Sequence, residues 1–283
     1  RAHIEGFGSF EGVVETKTAL YACVASEGGT IFVNADDALL LDKASEVCSL
    51  VGTKSVLPAY MPDIPSTLAL QQGASLVSYG SCADASVKGS FVESAPYMHF
   101  YVENGDIVYN IRTQLIGAYN FANAMAAAAV GLTFGVDGFL IKEALEAYVP
   151  LNNRSQYKKT SSNQLIMDCY NANPSSMKVA VDSFSAMSGD CKMAIIGGMK
   201  ELGVESNKAH RLLLKHLLSL NLRRIMLVGD EFKFAKKMEL SSVEWFATTE
   251  HLVQRLKEDT IVGATILVKG SNSNRLWIVE EWL

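Results

Sequence analysis

The sequence predicts an α/β protein in two parts: a mixed sheet with helices and a β-hairpin over residues 1–150, then a doubly wound parallel sheet over residues 151–283. Three observations carry this reading. At 283 residues the chain is longer than one hydrophobic core fills efficiently. Short β-rich runs cluster between Ser75 and Ile111, whereas strand and helix signals alternate regularly from Gln164 onward. Hydrophobic residues at 49% and charged residues at 19% fit a packed chain rather than a disordered one.

Residues 9–27 predict a helix with Val13, Leu20 and Val24 among its apolar positions, stopped at Gly28 and Gly29, because glycine accepts the left-handed cap. Thr30 to Val33 reads as a buried strand. Asn34 is expected to cap the next helix, with Asp36 and Asp37 in its first turn, where negative charge suits the helix dipole. The runs Tyr97 to Val102 and Ile107 to Ile111, joined by Glu103-Asn104-Gly105-Asp106, predict an antiparallel hairpin. An alanine-rich helix is expected from Asn120 to about Gly131 or Gly135, and a second from Asp137 to Tyr148, stopping before Pro150. The domain boundary is placed near Pro150-Leu151-Asn152-Asn153. Beyond it come strand Gln164 to Asp168, a helix from Pro174, strand Lys192 to Ile196, helix Ser206 to Leu220, and strand Arg224 to Val228. A short helix, strand Val243 to Phe246, helix Thr249 to Lys257 and strand Thr265 to Val268 complete the series.

Composition excludes several classes. A net charge of −5 without a Lys/Arg run argues against an extended nucleic-acid surface, which needs clustered cations. The longest apolar stretch, Ala122 to Leu132, falls short of the roughly 20 residues that span a bilayer, so no membrane insertion is expected. Cys23, Cys48, Cys82, Cys169 and Cys191 form no C-x-x-C pair and read as reduced, structural thiols of a cytoplasmic protein. No signal peptide is recognisable, and the abrupt start at Arg1, without methionine, predicts a fragment of a longer chain.

The most informative segment is DCYNANPSSM, Asp168 to Met177. It leaves a strand and enters a helix with Asn173 as cap and Pro174 as first residue, which places Asp168, Tyr170 and Asn171 at the carboxyl edge of a parallel sheet. Ligands of such sheets bind there. A carboxylate at that edge can accept hydrogen bonds from ribose hydroxyls or pair with a cation, although capping alone also accounts for Asn173 and Pro174.

DCYNANPSSM resembles the D-x-Y-N-A-N-P motif of the Mur ligase family, in particular its muramoyl-tripeptide D-alanyl-D-alanine ligases. HIEGFGSFEGVVETK (His3 to Lys17), GAYNFANAMAAAA (Gly117 to Ala129), LNNRSQ (Leu151 to Gln156), GGMKELG (Gly197 to Gly203) and LVKGSNS (Leu267 to Ser273) follow in the family's order. The resemblance therefore spans essentially the whole chain. It implies an incomplete central ATPase domain over 1–150 and a C-terminal Rossmann-like domain over 151–283. It also implies an ATP-dependent amide ligase of peptidoglycan precursor synthesis, joining D-alanyl-D-alanine to UDP-N-acetylmuramoyl-tripeptide. The family's Gly-rich phosphate loop ending in Gly-Lys-Thr is absent from the sequence, so the piece alone is expected to be inactive.

Residue roles follow from the resemblance only. His3 matches a histidine that helps hold Mg2+, and Lys17 a lysine that becomes a carbamate and positions the same ion, since an ammonium would repel it. On residue type alone, both read as solvated side chains. Asn123 matches the asparagine that addresses adenine, three residues from Asn120, which is expected simply to cap. Arg154 is a phosphate-binding candidate and Asp168 its ribose- or phosphate-side partner, with Tyr170 and Asn171 completing the nucleotide-binding set. The chain departs from the family at Tyr119, where histidine is usual, and at Gly198, where aspartate is usual. Lys269 and Ser271 rank below these as substrate contacts, and His210, His216 and His251 are expected on solvated helix faces. The implied cofactors are ATP and Mg2+, and the expected state is a monomer. Two alternatives stay open: a noncatalytic nucleotide- or precursor-binding module, and a sister Mur or folylpolyglutamate-type ligase with another amino acid as nucleophile.

Overall fold

The computed structural model describes residues 7–52, 75–94 and 96–283. It holds two mixed sheets. The first, in the order β1-β2-β3-β4-β5, comprises β1 (Thr30–Asn34), β2 (Ser75–Gly80), β3 (Val87–Ser94), β4 (Tyr97–Asn104) and β5 (Ile107–Ile116). β1, β2 and β3 run parallel, and β3, β4 and β5 form an antiparallel meander. The expected hairpin is β4–β5, with Asn104 opposite Ile107. Gly105 leads its two-residue turn at φ 60, a conformation that only glycine takes without strain.

Helices cover both faces of this sheet. α1 (Phe10–Ser26) and α2 (Ala38–Gly52) pack on the β1 side, where Ala22, Ala25, Ile31, Val33, Ala44 and Val47 form one core. α3 (Asn120–Thr133) covers the other face, its Ala124, Ala128 and Ala129 letting the helix approach Phe100 and Ile111 closely; α4 (Gly138–Ala147) flanks it. α1 buries Thr18, Ala22 and Ala25, small side chains that fit the tight contact with β1 and α2, and leaves Leu20 63% exposed. The expected cap of the next helix fails. Asn34 does not cap α2: it accepts from Asp36 N at 3.0 Å, while Asp37 caps by accepting from Leu40 N at 3.2 Å. Asp36 is drawn off to Ser81 and Cys82, whose backbone N–H groups it accepts at 2.9 to 3.1 Å.

The second sheet has the order β10-β9-β8-β11-β7-β6, built from β6 (Gln156–Lys159), β7 (Gln164–Asp168), β8 (Lys192–Gly197), β9 (Arg224–Val228), β10 (Val243–Phe246) and β11 (Thr265–Lys269). Five strands are parallel, as expected, but β6 pairs antiparallel with β7 at the edge and was not foreseen. Successive side chains along a strand point to opposite faces. Ile166, Ala194, Ile196, Leu227 and Leu267 therefore pack under α5 (Pro174–Ala186) and α6 (Ser206–Leu218). Leu165, Met167, Ile195, Met226, Ile266 and Val268 pack under α7 (Thr249–Glu258) and the C-terminal turns. Burial on both faces explains why these strands are continuous apolar runs rather than alternating ones.

Candidate functional site

The carboxyl ends of β7, β8 and β11, three adjacent strands, enclose an open cavity of about 540 Å³. Residues 170–173 after β7, 200–202 after β8 and 271–273 after β11 line it. Tyr170 and Asn171 thus stand where the sequence placed them. Asn173 also lines the cavity and caps α5, accepting from Ser176 N at 2.9 Å while the Ser176 side chain returns the bond to the Asn173 backbone. This capping box fixes the angle at which the chain leaves the strand.

Asp168 ends β7 directly opposite Lys269 at the end of β11. Their ion pair measures 2.5 Å, and Lys269 is only 2% exposed. The same ammonium reaches the Asn171 carbonyl at 3.3 Å. The other Asp168 oxygen accepts from Ser155 N at 3.3 Å, so the carboxylate ties three segments together. Lys269, ranked low from sequence, is the central cation of this cluster. Only the strand order reveals it, since the two residues lie 101 positions apart.

Arg154 lies on the surface with its guanidinium 3.6 Å from the centre of the Tyr170 ring. Stacking leaves the N–H edges of the fork available, the geometry that suits bidentate contact with phosphate oxygens. The turn that carries Arg154 is strained: the flanking Asn152, Asn153 and Ser155 all adopt positive φ, at 59, 56 and 49.

On the first sheet, Asn123 is exposed in α3 and donates to Asn120 Oδ1 at 3.0 Å. Asn120 was expected to cap the helix but does not: it is buried as the first helical residue and donates to the Ile116 carbonyl at 2.8 Å. Tyr119 reaches across to the second sheet, its hydroxyl 2.7 Å from Ser155 Oγ. Burial pushes the Tyr119 phenol far above its ordinary range, so the group remains a protonated hydrogen-bonding partner. Gly117, at φ 83, leaves room for that ring, which a Cβ would strike.

The structure therefore brings Arg154, Asp168, Tyr170 and Asn171 together and links Asn123 to them only through the α3 amino end. Lys17 stands exposed on α1 and makes no hydrogen bond or ion pair with another described residue. His3 lies outside the described residues. Among those described, no group of three His, Cys, Asp or Glu side chains is arranged to hold a metal.

His210 corrects another expectation. It is fully buried on α6, accepting at Nε2 from Met199 N at 2.9 Å and donating from Nδ1 to the Ser206 carbonyl at 2.7 Å. Burial lowers its pKa, and the neutral ring fixes the turn after β8. His216 keeps 29% exposure but is paired with Asp182 at 2.6 Å, and His251 is exposed as expected.

Two family models match this chain: the Mur ligase middle domain over residues 1–131 and the Mur ligase, glutamate ligase domain over residues 153–272. The chain belongs to the Mur ligase family. It is 30% identical over 277 residues to the UDP-N-acetylmuramoyl-tripeptide--D-alanyl-D-alanine ligase of Escherichia coli, covering 96% of this chain and 55% of that protein. The Bacillus subtilis ligase of the same name is 25% identical over 282 residues, again with 55% of its length covered. The chain thus spans about half the length of the curated relatives it matches. Among solved structures, MurF from Acinetobacter baumannii superimposes with a TM-score of 0.77 at 22% identity, covering 99% of this chain and 56% of that one. MurF from Thermotoga maritima, solved with ADP, gives 0.74 at 19% identity, covering 99% and 58%. The two-sheet arrangement is therefore that of Mur ligases. Among the described residues, no helix is long and apolar enough to cross a membrane.

Proposed function

We propose that the full-length protein is a cytoplasmic, monomeric ATP-dependent ligase that joins D-alanyl-D-alanine to UDP-N-acetylmuramoyl-tripeptide, with residues 1–150 in its central domain and 151–283 in its C-terminal domain. The observation that carries this reading is the D-C-Y-N-A-N-P segment, which opens onto the cavity at the carboxyl ends of β7, β8 and β11. Similarity to ligases bearing that name supports the substrate pair.

A carboxylate resists an amine because it is already anionic and has no good leaving group. Transfer of the γ-phosphoryl group of ATP to the tripeptide's terminal carboxylate gives an acyl phosphate. The dipeptide amine then attacks the carbonyl carbon and phosphate departs with the C–O bonding pair, leaving an amide. Arg154 meets the phosphate oxygens through the N–H edges its stacking leaves free. Asn123 has one amide N–H and an acceptor oxygen left to address adenine, and Asp168 has lone pairs left for a ribose hydroxyl. The exposed Lys17 amine is open to carbon dioxide, and as a carbamate it would hold Mg2+ together with His3. Such an ion supplies charge neutralisation at the transferring phosphoryl group.

Phosphate release by the full-length protein tests the assignment. It is expected only when ATP, the precursor and D-alanyl-D-alanine are all present. Equal stimulation by L-lysine or glutamate would remove the substrate assignment.

A further inference from the structure

Lys200 lines this cavity and pairs with Glu231, an ion pair that the roles above do not use. Of the described residues lining that cavity, Lys200 is the only cation. Its ammonium is the solvent-facing partner, with the side chain 47% exposed against 16% for Glu231. Glu231 is seated in a niche made by missing side chains. A Cβ on Gly198 would collide with its carboxylate, and a Cβ on Gly229 would come within 2.6 Å of the same oxygen. That oxygen, Oε2, is buried without a hydrogen-bond partner among the described residues. Burial pushes the Glu231 carboxyl up, but the Lys200 hydrogen bond, a backbone hydrogen bond at Glu231 itself and the nearby positive charge together outweigh it and hold the group below the ordinary glutamate range.

A buried carboxylate with one satisfied oxygen strongly penalises departure of its single cationic partner. Lys200 is therefore held over the cavity rather than swinging in solvent. Its backbone is fixed as well, since Lys200 N donates to Ser271 Oγ at 3.2 Å. An ammonium has three donors and Glu231 Oε1 takes one, so two remain for a ligand. The amino end of α5 opens on the same cavity at Asn173 and adds favourable potential for an anion.

We propose that Lys200, aimed by Glu231 from the side-chain-free ends of β8 and β9, recognises the free carboxylate of the amine-bearing substrate. Glu231 places its carboxylate over Gly198 from the neighbouring strand end. Lys200 is then a specificity-determining residue and Glu231 a positioning residue. The assignment rests on the ligase reading and names which end of the dipeptide meets this wall. A pre-aimed donor adds affinity because little side-chain entropy is lost on binding.

Steady-state kinetics of the full-length protein with D-alanyl-D-alanine and with its C-terminal amide test this. Lys200→Met is expected to raise KM for the dipeptide about tenfold or more, the scale of one charge-assisted hydrogen bond, with the change in KM rather than kcat. KM for the amide is expected to stay within about twofold of the unmodified protein's, because the lost partner is absent from that ligand. Lys200→Arg is expected to recover part of the discrimination, and Glu231→Gln to weaken it with the same preference for the free carboxylate. No rise in KM for Lys200→Met, or equal rises for dipeptide and amide, would overturn the assignment. Ligation of neither amine by the unmodified protein would instead overturn the ligase reading and this assignment with it.

Discussion

Lys269 shows how one side chain can be decisive and still inconspicuous in sequence. It is 2% exposed, it neutralises Asp168 at 2.5 Å, and it holds the Asn171 carbonyl, so it orders the motif segment that borders the cavity. Removing one member of a buried pair leaves an uncompensated charge, whereas removing both does not. Lys269→Met is therefore expected to destabilise the fold by about 3 kcal/mol. Adding Asp168→Leu is expected to recover much of that loss in urea denaturation. If the double variant is no more stable than the single one, the pair is not what stabilises this strand end. His210 illustrates the opposite misreading: a polar residue on a leucine-rich helix looked solvated, yet its two ring nitrogens are both engaged inside the core.

At the scale of elements, α5 is the helix whose start was most legible. Asn173, Pro174 and Ser176 supply cap, first residue and reciprocal bond within four positions, so local chemistry alone sets the boundary. Asn173→Ala is expected to cost about 1 kcal/mol of stability, read from the denaturation midpoint at unchanged m-value. A cost below a few tenths would mean that packing of Met177, Val181 and Phe184, not the cap, defines the helix start. α2 behaved differently, because Asn34 and Asp36 were taken by partners in the following turn and by Ser81 and Cys82, leaving Asp37 as cap. β6 escaped notice because a four-residue polar edge strand, Gln-Tyr-Lys-Lys, carries no apolar run; its pairing with β7 defines it.

At the scale of the whole molecule, several contacts among the described residues join the two sheets. Ile116, the last residue of β5, enters the core of the second sheet beside Ile166 and Phe184. Tyr97 packs edge-on against Tyr157 with ring centres 5.7 Å apart, and Tyr119 bonds Ser155 at 2.7 Å. Ser155 in turn donates through its backbone to Asp168, so the link runs from the start of α3 to the cavity edge. Tyr119→Phe is expected to lower stability by about 1 kcal/mol, with the loss shared rather than added when combined with Ser155→Ala. Fully additive losses in a double-mutant cycle would mean that the two hydroxyls are not coupled.

The order of strands and helices from β7 onward, the β4–β5 hairpin, the cap of α5 and the membership of a ligase family were all present in the one-dimensional pattern. Periodicity, turn chemistry and a dense local motif each act over a few residues, and the chain states them directly. The tertiary structure alone decided that Lys269 faces Asp168, that Glu231 fills the space over Gly198 and Gly229, and that Tyr119 bridges to Ser155. Those pairings depend on which strands become neighbours, and a sheet order of β8-β11-β7 brings together residues that sequence spacing keeps a hundred positions apart.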